Sequence, residues 1–219
     1  KGFNYFDARL KSDEFSKKNK YHFNIIKKLD KHINLGNDIK TLIVREQGVG
    51  DEILFSSMYN DVLKNNFSKI QIECDKRLLE IFKRSFNKNI FVPFGHYSSS
   101  AKDIQAFDNV IYAGSLTKYF RKKESDFNHK PYIKSLYKLD KKFKSILDSF
   151  NLKKKIGISW KSVFNIYGGL KSLQLSDFKK LFSQDRVFIN LQYGESIKEV
   201  NQFKKRGLNL YNFNNIDLF

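Results

Sequence analysis

The chain has 219 residues, 41% of them hydrophobic and 16% aromatic, with a formal net charge of +18. That composition belongs to a globular chain long enough for one large or two small domains, not to a disordered one. No apolar run approaches the roughly 18 residues of a membrane span, no apolar h-region follows the opening Lys1-Gly2-Phe3-Asn4-Tyr5, and a lone Cys74 excludes an internal disulfide or a cysteine-ligated zinc site.

In chain order, the stretch up to Asn37 is lysine-rich with Phe23, Ile25, Ile26, Leu29 and Ile33, and reads as an amphipathic, partly helical lead-in. A strand is predicted at Thr41–Arg45, a helix at Asp51–Lys64, a strand at Lys69–Cys74, a helix at Lys76–Phe86 and a short strand at Asn89–Val92. Pro93-Phe94-Gly95 and Ser98-Ser99-Ser100 read as loop. Another short strand is expected at Phe107–Tyr112, irregular chain around Pro131, and a helix at Leu139–Phe150.

A second unit follows Asn151, with a strand at Lys155–Trp160 and a glycine-containing loop at Ser162–Ser172. A helix begins at Leu175 with Ser176 as its expected cap, then come a strand at Val187–Leu191, a helix at Ser196–Gly207 and a strand at Leu208–Tyr211. Alternating strands and helices argue for parallel sheets with ligands at the carboxyl ends of the strands. The expected domains are therefore 1–150, with its lead-in 1–37, and 151–219. The second reads as truncated, since three strands fall short of a doubly wound sheet.

The turn Glu46-Gln47-Gly48-Val49-Gly50-Asp51 joins the first strand to its helix. Gly48 and Gly50 permit backbone angles closed to other residues and let a ligand approach the main chain. Asp51 falls at or near the helix N-cap, where free N–H groups attract an anion. Shaping a turn and capping a helix are the plainer roles open to the same residues. The turn is no nucleoside-triphosphate loop, because Gly-Lys-Ser/Thr is missing, and no dinucleotide fingerprint, because the third glycine is missing. Glu46 is expected to brace the loop, Cys74 to be a small core residue, and Trp160 to pack more readily than to stack on a ligand. His96 and His129 have no second ligand at metal spacing.

The positive balance draws attention to anionic partners. Only seven of the 41 basic residues are arginines (Arg9, Arg45, Arg77, Arg84, Arg121, Arg186 and Arg206), and the lysines are spread along the whole chain. Arginine is the residue favoured for bidentate recognition of phosphates and bases, so nucleic acid is the weaker reading of the charge.

Four stretches in order resemble bacterial glycosyltransferase-like proteins that often follow tetratricopeptide repeats. That family is similar to the heptosyltransferases and, more distantly, to the O-linked N-acetylglucosamine transferases. The stretches are Glu46–Phe55, Ile156–Ser162, Gly169–Leu173 with Leu175–Phe178, and Val187–Gly194. The resemblance implies an α/β fold of two Rossmann-like domains, the GT-B architecture. Its N-terminal domain would bind the acceptor, and its C-terminal domain a nucleotide-sugar donor. It implies metal-independent, inverting transfer with the nucleotide-sugar as substrate and no cofactor.

Carried onto this chain, the resemblance makes Asp51 the catalytic base and Gly48 and Gly50 the glycine loop. Lys171, with Lys161 second, would neutralise donor phosphate, and Ser159, Ser172 and Gln192 would be donor-side contacts. The acceptor would be a glycan, a lipid-linked molecule or a protein, and the location cytoplasmic or peripheral to the inner membrane. The family's later donor-binding motifs would lie beyond Phe219, which implies a fragment. Two other functions stay open at this point: a catalytically inactive binding module of the same fold, and a basic nucleic-acid-binding α/β domain.

Overall fold

The computed structural model describes residues 2–18, 39–64, 69–97, 104–127, 129–151, 154–162, 168–183, 185–207 and 210–213. The expected amphipathic lead-in around Phe23–Ile33 and the Ser98–Ser100 loop lie outside them. The chain divides into two compact units, Lys1–Ser135 and Leu136–Phe219. Both are α/β with parallel sheets. The division falls ahead of Asn151, so the helix before that residue goes with the second unit.

In the first unit, an opening 3-10 segment (Gly2–Lys11) and a short helix α1 (Asp13–Lys18) precede β1 (Lys40–Val44). Then follow α2 (Val49–Ser56), α3 (Tyr59–Lys64), β2 (Lys69–Cys74), α4 (Leu79–Phe86), β3 (Phe91–Pro93) and β4 (Asn109–Tyr112). A 3-10 turn (Ala113–Leu116) leads into α5 (Thr117–Phe120). The strands are all parallel, in the order β3-β2-β1-β4. The run Leu42-Ile43-Val44 is apolar on both faces because β1 is central and covered on both. Ile43, Ile70, Ile72 and Cys74 face a core shared with Phe55, Tyr59, Phe82, Phe86 and Phe91. Leu42, Val44, Val110 and Tyr112 face a second core with Phe15 and Ile104. Period-2 alternation along each strand produces this split.

The periodicity predicts one helix over Asp51–Lys64, and two are found. The break at Ser57-Met58 has a partner outside the helix: buried Arg121 donates to the Ser57 carbonyl at 2.9 Å and to Asp61 at 2.8 Å. The charged bond draws that carbonyl out of the helical ladder.

The second unit holds α6 (Tyr137–Asp148), β5 (Lys154–Ile158), a 3-10 turn (Gly169–Lys171), a longer 3-10 segment (Leu175–Leu181), β6 (Arg186–Asn190), α7 (Ile197–Lys204) and β7 (Leu210–Tyr211). Its sheet is parallel, in the order β5-β6-β7. The core gathers Ile158, Trp160, Leu175, Phe188, Val200, Phe203 and Leu210. The expected helix at Leu175 is 3-10, and its cap is Gln174, not Ser176. The Asp177 carboxylate accepts the Gln174 N–H at 2.8 Å and fixes that entry. Gly207, at φ +75°, ends α7's chain in the left-handed region, as a glycine after a helix does.

Candidate functional site

In the first unit the strand order reverses beside β1: β2 and β3 extend to one side, and β4 returns on the other. Doubly wound sheets bind ligands outside the carboxyl ends at such a point. Here the chain's own opening segment occupies it. Glu46, just past β1, is 2% exposed and accepts the Gly114 N–H from the turn after β4. Arg9 clamps the same carboxylate with two bonds, Nε to Oε2 at 2.9 Å and Nη2 to Oε1 at 2.6 Å. Asp7 accepts from Ser115 Oγ at 2.6 Å and Lys118 Nζ at 2.9 Å. Burial alone would raise the Asp7 carboxyl, but the bonds from Ser115, Lys118 and Arg9 outweigh it and hold it below its usual value. A methyl at Gly114 would run into the Glu46 carboxylate, the Phe6 ring and the Arg9 guanidinium. This glycine is needed for close packing.

On β1's other flank lies a second charged group. Arg45 pairs with Glu52 at 2.6 Å, and Glu52 also accepts the Asp75 N–H at 2.8 Å. Burial nonetheless raises the Glu52 carboxyl. Glu73, fully buried on β2, is pushed up to about 7, first by burial and then by the charge of Glu52, while Arg45 and the Gly95 N–H pull the other way. Asp75 is held down at about 2, chiefly by its side-chain bonds from Arg77, at 2.8 and 2.9 Å.

Asp51 is the third residue of α2, and Gly48 is the cap. The Asp51 carboxylate accepts the Gly48 N–H at 3.1 Å and stays partly exposed. The expectation that Gly48 and Gly50 supply unusual backbone angles does not hold. Gly48 sits at φ −98°, and the left-handed residue of the turn is Gln47, at φ +62°. A Cβ on Gly50 would meet nothing within 4 Å, and one on Gly48 only ordinary contact with Asp51. Neither glycine is required by the chain's own packing, and Gly50 leaves bare backbone facing open space. Asp51 and Glu52 already place negative charge against the helix N-terminus.

In the second unit, the residues expected on the donor side converge at the carboxyl ends of β5 and β6. Gln192, 2% exposed, is the centre. Its Oε1 accepts from Ser159 Oγ at 3.1 Å and from the N–H groups of Trp160 and Lys161, both at 2.9 Å. Its Nε2 donates to the carbonyls of Lys161 and Tyr193. Ser172 accepts the Ser162 N–H and donates to the Gly168 carbonyl. Lys161 donates to the Glu195 carbonyl at 2.7 Å. Lys171 differs: it is exposed, and its ammonium has no hydrogen-bond or ion-pair partner among the described residues.

Trp160 is buried in the second unit's core and donates to Glu199 at 2.9 Å, so it packs and does not stack on a ligand face. Glu199 also accepts the Leu175 N–H at 2.7 Å. Sequence reasoning misses this residue, although Ser196-Ile197-Lys198-Glu199 carries the spacing of a capping box. Its carboxylate turns to the core loop instead. A cavity of about 210 Å³ opens beside Gln192, lined by Asn190, Glu195, Ser196, Asn212 and Phe213. Among the described residues no cluster of three or more His, Cys, Asp or Glu could hold a metal ion.

No family model matches the chain. No solved structure matches it. The chain is similar to Protein FlbA of Caulobacter vibrioides, with 25% identity over 205 residues that cover 84% of this chain and 34% of FlbA. The chain thus spans about a third of the length of that curated relative.

Proposed function

We propose that the chain is part of a GT-B-type glycosyltransferase moving a sugar from a nucleotide-sugar donor to an acceptor hydroxyl, with inversion and without a metal. Asp51 takes the acceptor proton, and Lys171 neutralises the leaving diphosphate. The observation that carries this reading is the edge of the second sheet. There the β5 and β6 ends are locked by Gln192, a cavity of about 210 Å³ opens beside them, and one lysine of the loop is left unpaired among the described residues. A rigid scaffold that carries that unpaired lysine on the loop after β5 and a cavity at the end of β6 suits a nucleotide diphosphate. Ser159, Lys161, Ser172 and Gln192 hold the loop in place, and Gln192 also lines the cavity. The bare backbone at Gly50, next to the partly exposed Asp51, suits close approach of an acceptor.

Thermal-shift titration of the full-length protein against UDP-, GDP-, ADP-, CMP- and dTDP-sugars tests the reading, because a ligand bound to the native state raises its apparent stability. One selective hit that Lys171→Ala removes supports it. A flat response to every donor sinks it.

One observation favours a second reading, a catalytically inactive binding module of the same fold. Four of the five polar residues expected to touch the donor spend their bonds inside the chain. Sugar transfer that disappears with Asp51→Asn rules it out.

A further inference from the structure

One peptide unit joins Arg45 to Asp51. The carbonyl of Gln47 and the N–H of Gly48 belong to the same plane. Arg45 Nη2 donates to that carbonyl at 2.8 Å, and the Asp51 carboxylate accepts that N–H at 3.1 Å. Arg45 and Asp51 thus hold opposite ends of a single rigid group. Gln47 stands at φ +62°, a left-handed conformation that a residue with a side chain keeps only where its surroundings impose it. A rotation of this plane would carry the Gly48 N–H away from Asp51 and release the carboxylate to other rotamers.

Arg45 is itself fixed by three further groups, each on a different element. Its Nε lies 2.6 Å from Glu52 Oε1 on α2, and its Nη1 lies 3.9 Å from Asp75 Oδ2, just past β2. Its guanidinium carbon lies 5.0 Å from the centre of the Phe94 ring, just past β3. Glu52, buried, also accepts the Asp75 N–H at 2.8 Å. A planar fork reaches these groups together, where a lysine ammonium offers one point charge. The plainer role, an ion pair that only stabilises the fold, accounts for the contact with Glu52. It leaves the bond to the Gln47 carbonyl without a purpose. A charged donor on that oxygen also polarises the amide and strengthens the N–H that Asp51 accepts.

We propose that Arg45 is the positioning residue of Asp51, fixing the carboxylate through the Gln47–Gly48 peptide. Its consequence for sugar transfer rests on the glycosyltransferase reading; the coupling of the two side chains does not.

Arg45→Met with Glu52→Gln, in the full-length protein, tests this. Removing both charges leaves neither stranded, and the glutamine oxygen still accepts the Asp75 N–H, so the melting temperature should stay close to that of the unaltered protein. Exchange of the Gly48 N–H with solvent, read by NMR, should quicken about tenfold or more. Glu52→Gln alone keeps Arg45 and should leave that rate near the original. Arg45→Lys, which keeps a charge beside Glu52 but lacks the fork, should quicken exchange as well. In the Glu52→Gln background, Arg45→Met and Asp51→Ala should be non-additive, since either one alone frees the peptide. Transfer by Arg45→Met with Glu52→Gln should fall about tenfold or more in kcat, with KM for the donor unchanged. Gly48 exchange that stays at its original rate, or effects of the two substitutions that simply add, overturns the inference. So does transfer that keeps its full kcat in a variant whose Gly48 exchange has quickened. If the unaltered protein transfers no sugar, the glycosyltransferase reading falls, and the coupling of Arg45 to Asp51 is decided by the exchange rates alone.

Discussion

Arg9 grips Glu46 across 37 residues of sequence with two parallel bonds, at 2.9 and 2.6 Å, directly over the point where the first sheet reverses its strand order. The carboxylate is buried and also holds the Gly114 N–H, so the pair ties the opening segment to the ends of both β1 and β4. The crevice that a doubly wound sheet ordinarily offers a ligand is thereby filled from within.

Removing one member of a buried, hydrogen-bonded pair strands the other charge, so Arg9→Ala should destabilise the first unit by about 3 to 5 kcal/mol. Replacing both members with apolar residues, Arg9→Met with Glu46→Leu, should cost clearly less, because no charge is left uncompensated. Urea unfolding followed by a first-unit probe decides the matter. A single substitution as mild as the double one would show that the pair is not buried in solution.

Glu73 supplies a pH signature. Its carboxyl is raised from an ordinary 4.5 to about 7, so between those values the folded chain holds a proton that the unfolded chain has lost. The associated stability is fully present below about pH 4.5 and is lost as pH rises through 7, a change of about 3 kcal/mol. Asp75, held at about 2, is ionised throughout this window and adds nothing to the slope. Glu52, also raised, adds to the same trend. Glu73→Gln keeps an acceptor for the Gly95 N–H, and should flatten the dependence and stabilise the protein at pH 8. Melting temperatures of both forms from pH 5 to pH 8 test this, and parallel curves would refute it.

The strands are largely legible in the sequence, and the long-range ties are not. Leu42–Val44 and Val187–Ile189 are apolar runs because both faces of their sheets are covered, and burial on both faces leaves a local trace. Asp7 meets Ser115 across 108 residues, and Arg9 meets Glu46 across 37, so no periodicity announces them. Gln47 adopts the left-handed turn conformation beside glycines that attract the attention first. Gln192 reads from sequence as a residue at a strand end, but sequence does not reveal which way an amide faces. Here it faces inward, to Trp160 and Lys161.

That inward orientation separates two kinds of residue in the second unit. Gln192→Leu leaves the Trp160 and Lys161 N–H groups without an acceptor and should lower stability by about 2 to 4 kcal/mol. Lys171→Ala, at an exposed site, should change stability by less than about 0.5 kcal/mol while abolishing the thermal shift from a nucleotide-sugar. Measuring both quantities on both variants distinguishes support from contact. A Lys171→Ala protein that still binds donor normally would remove the phosphate role.

Asp51 offers the sharpest separation of structure from chemistry, because it caps its own turn through the Gly48 N–H. Asp51→Ala deletes the cap and should cost about 1 kcal/mol of stability. Asp51→Asn keeps an oxygen acceptor at the same place, so it should fold nearly as well, yet an amide cannot take a proton from an acceptor hydroxyl. If Asp51 is the base, sugar transfer should fall by a factor of about 100 to 10,000 in the Asn variant, with donor binding intact. If the residue only caps, transfer in the Asn variant should stay near that of the unaltered protein, and the Ala variant should lose activity only as far as it loses fold. The comparison needs both variants. The Ala change alone mixes a lost base with a frayed helix, and the Asn change isolates the proton.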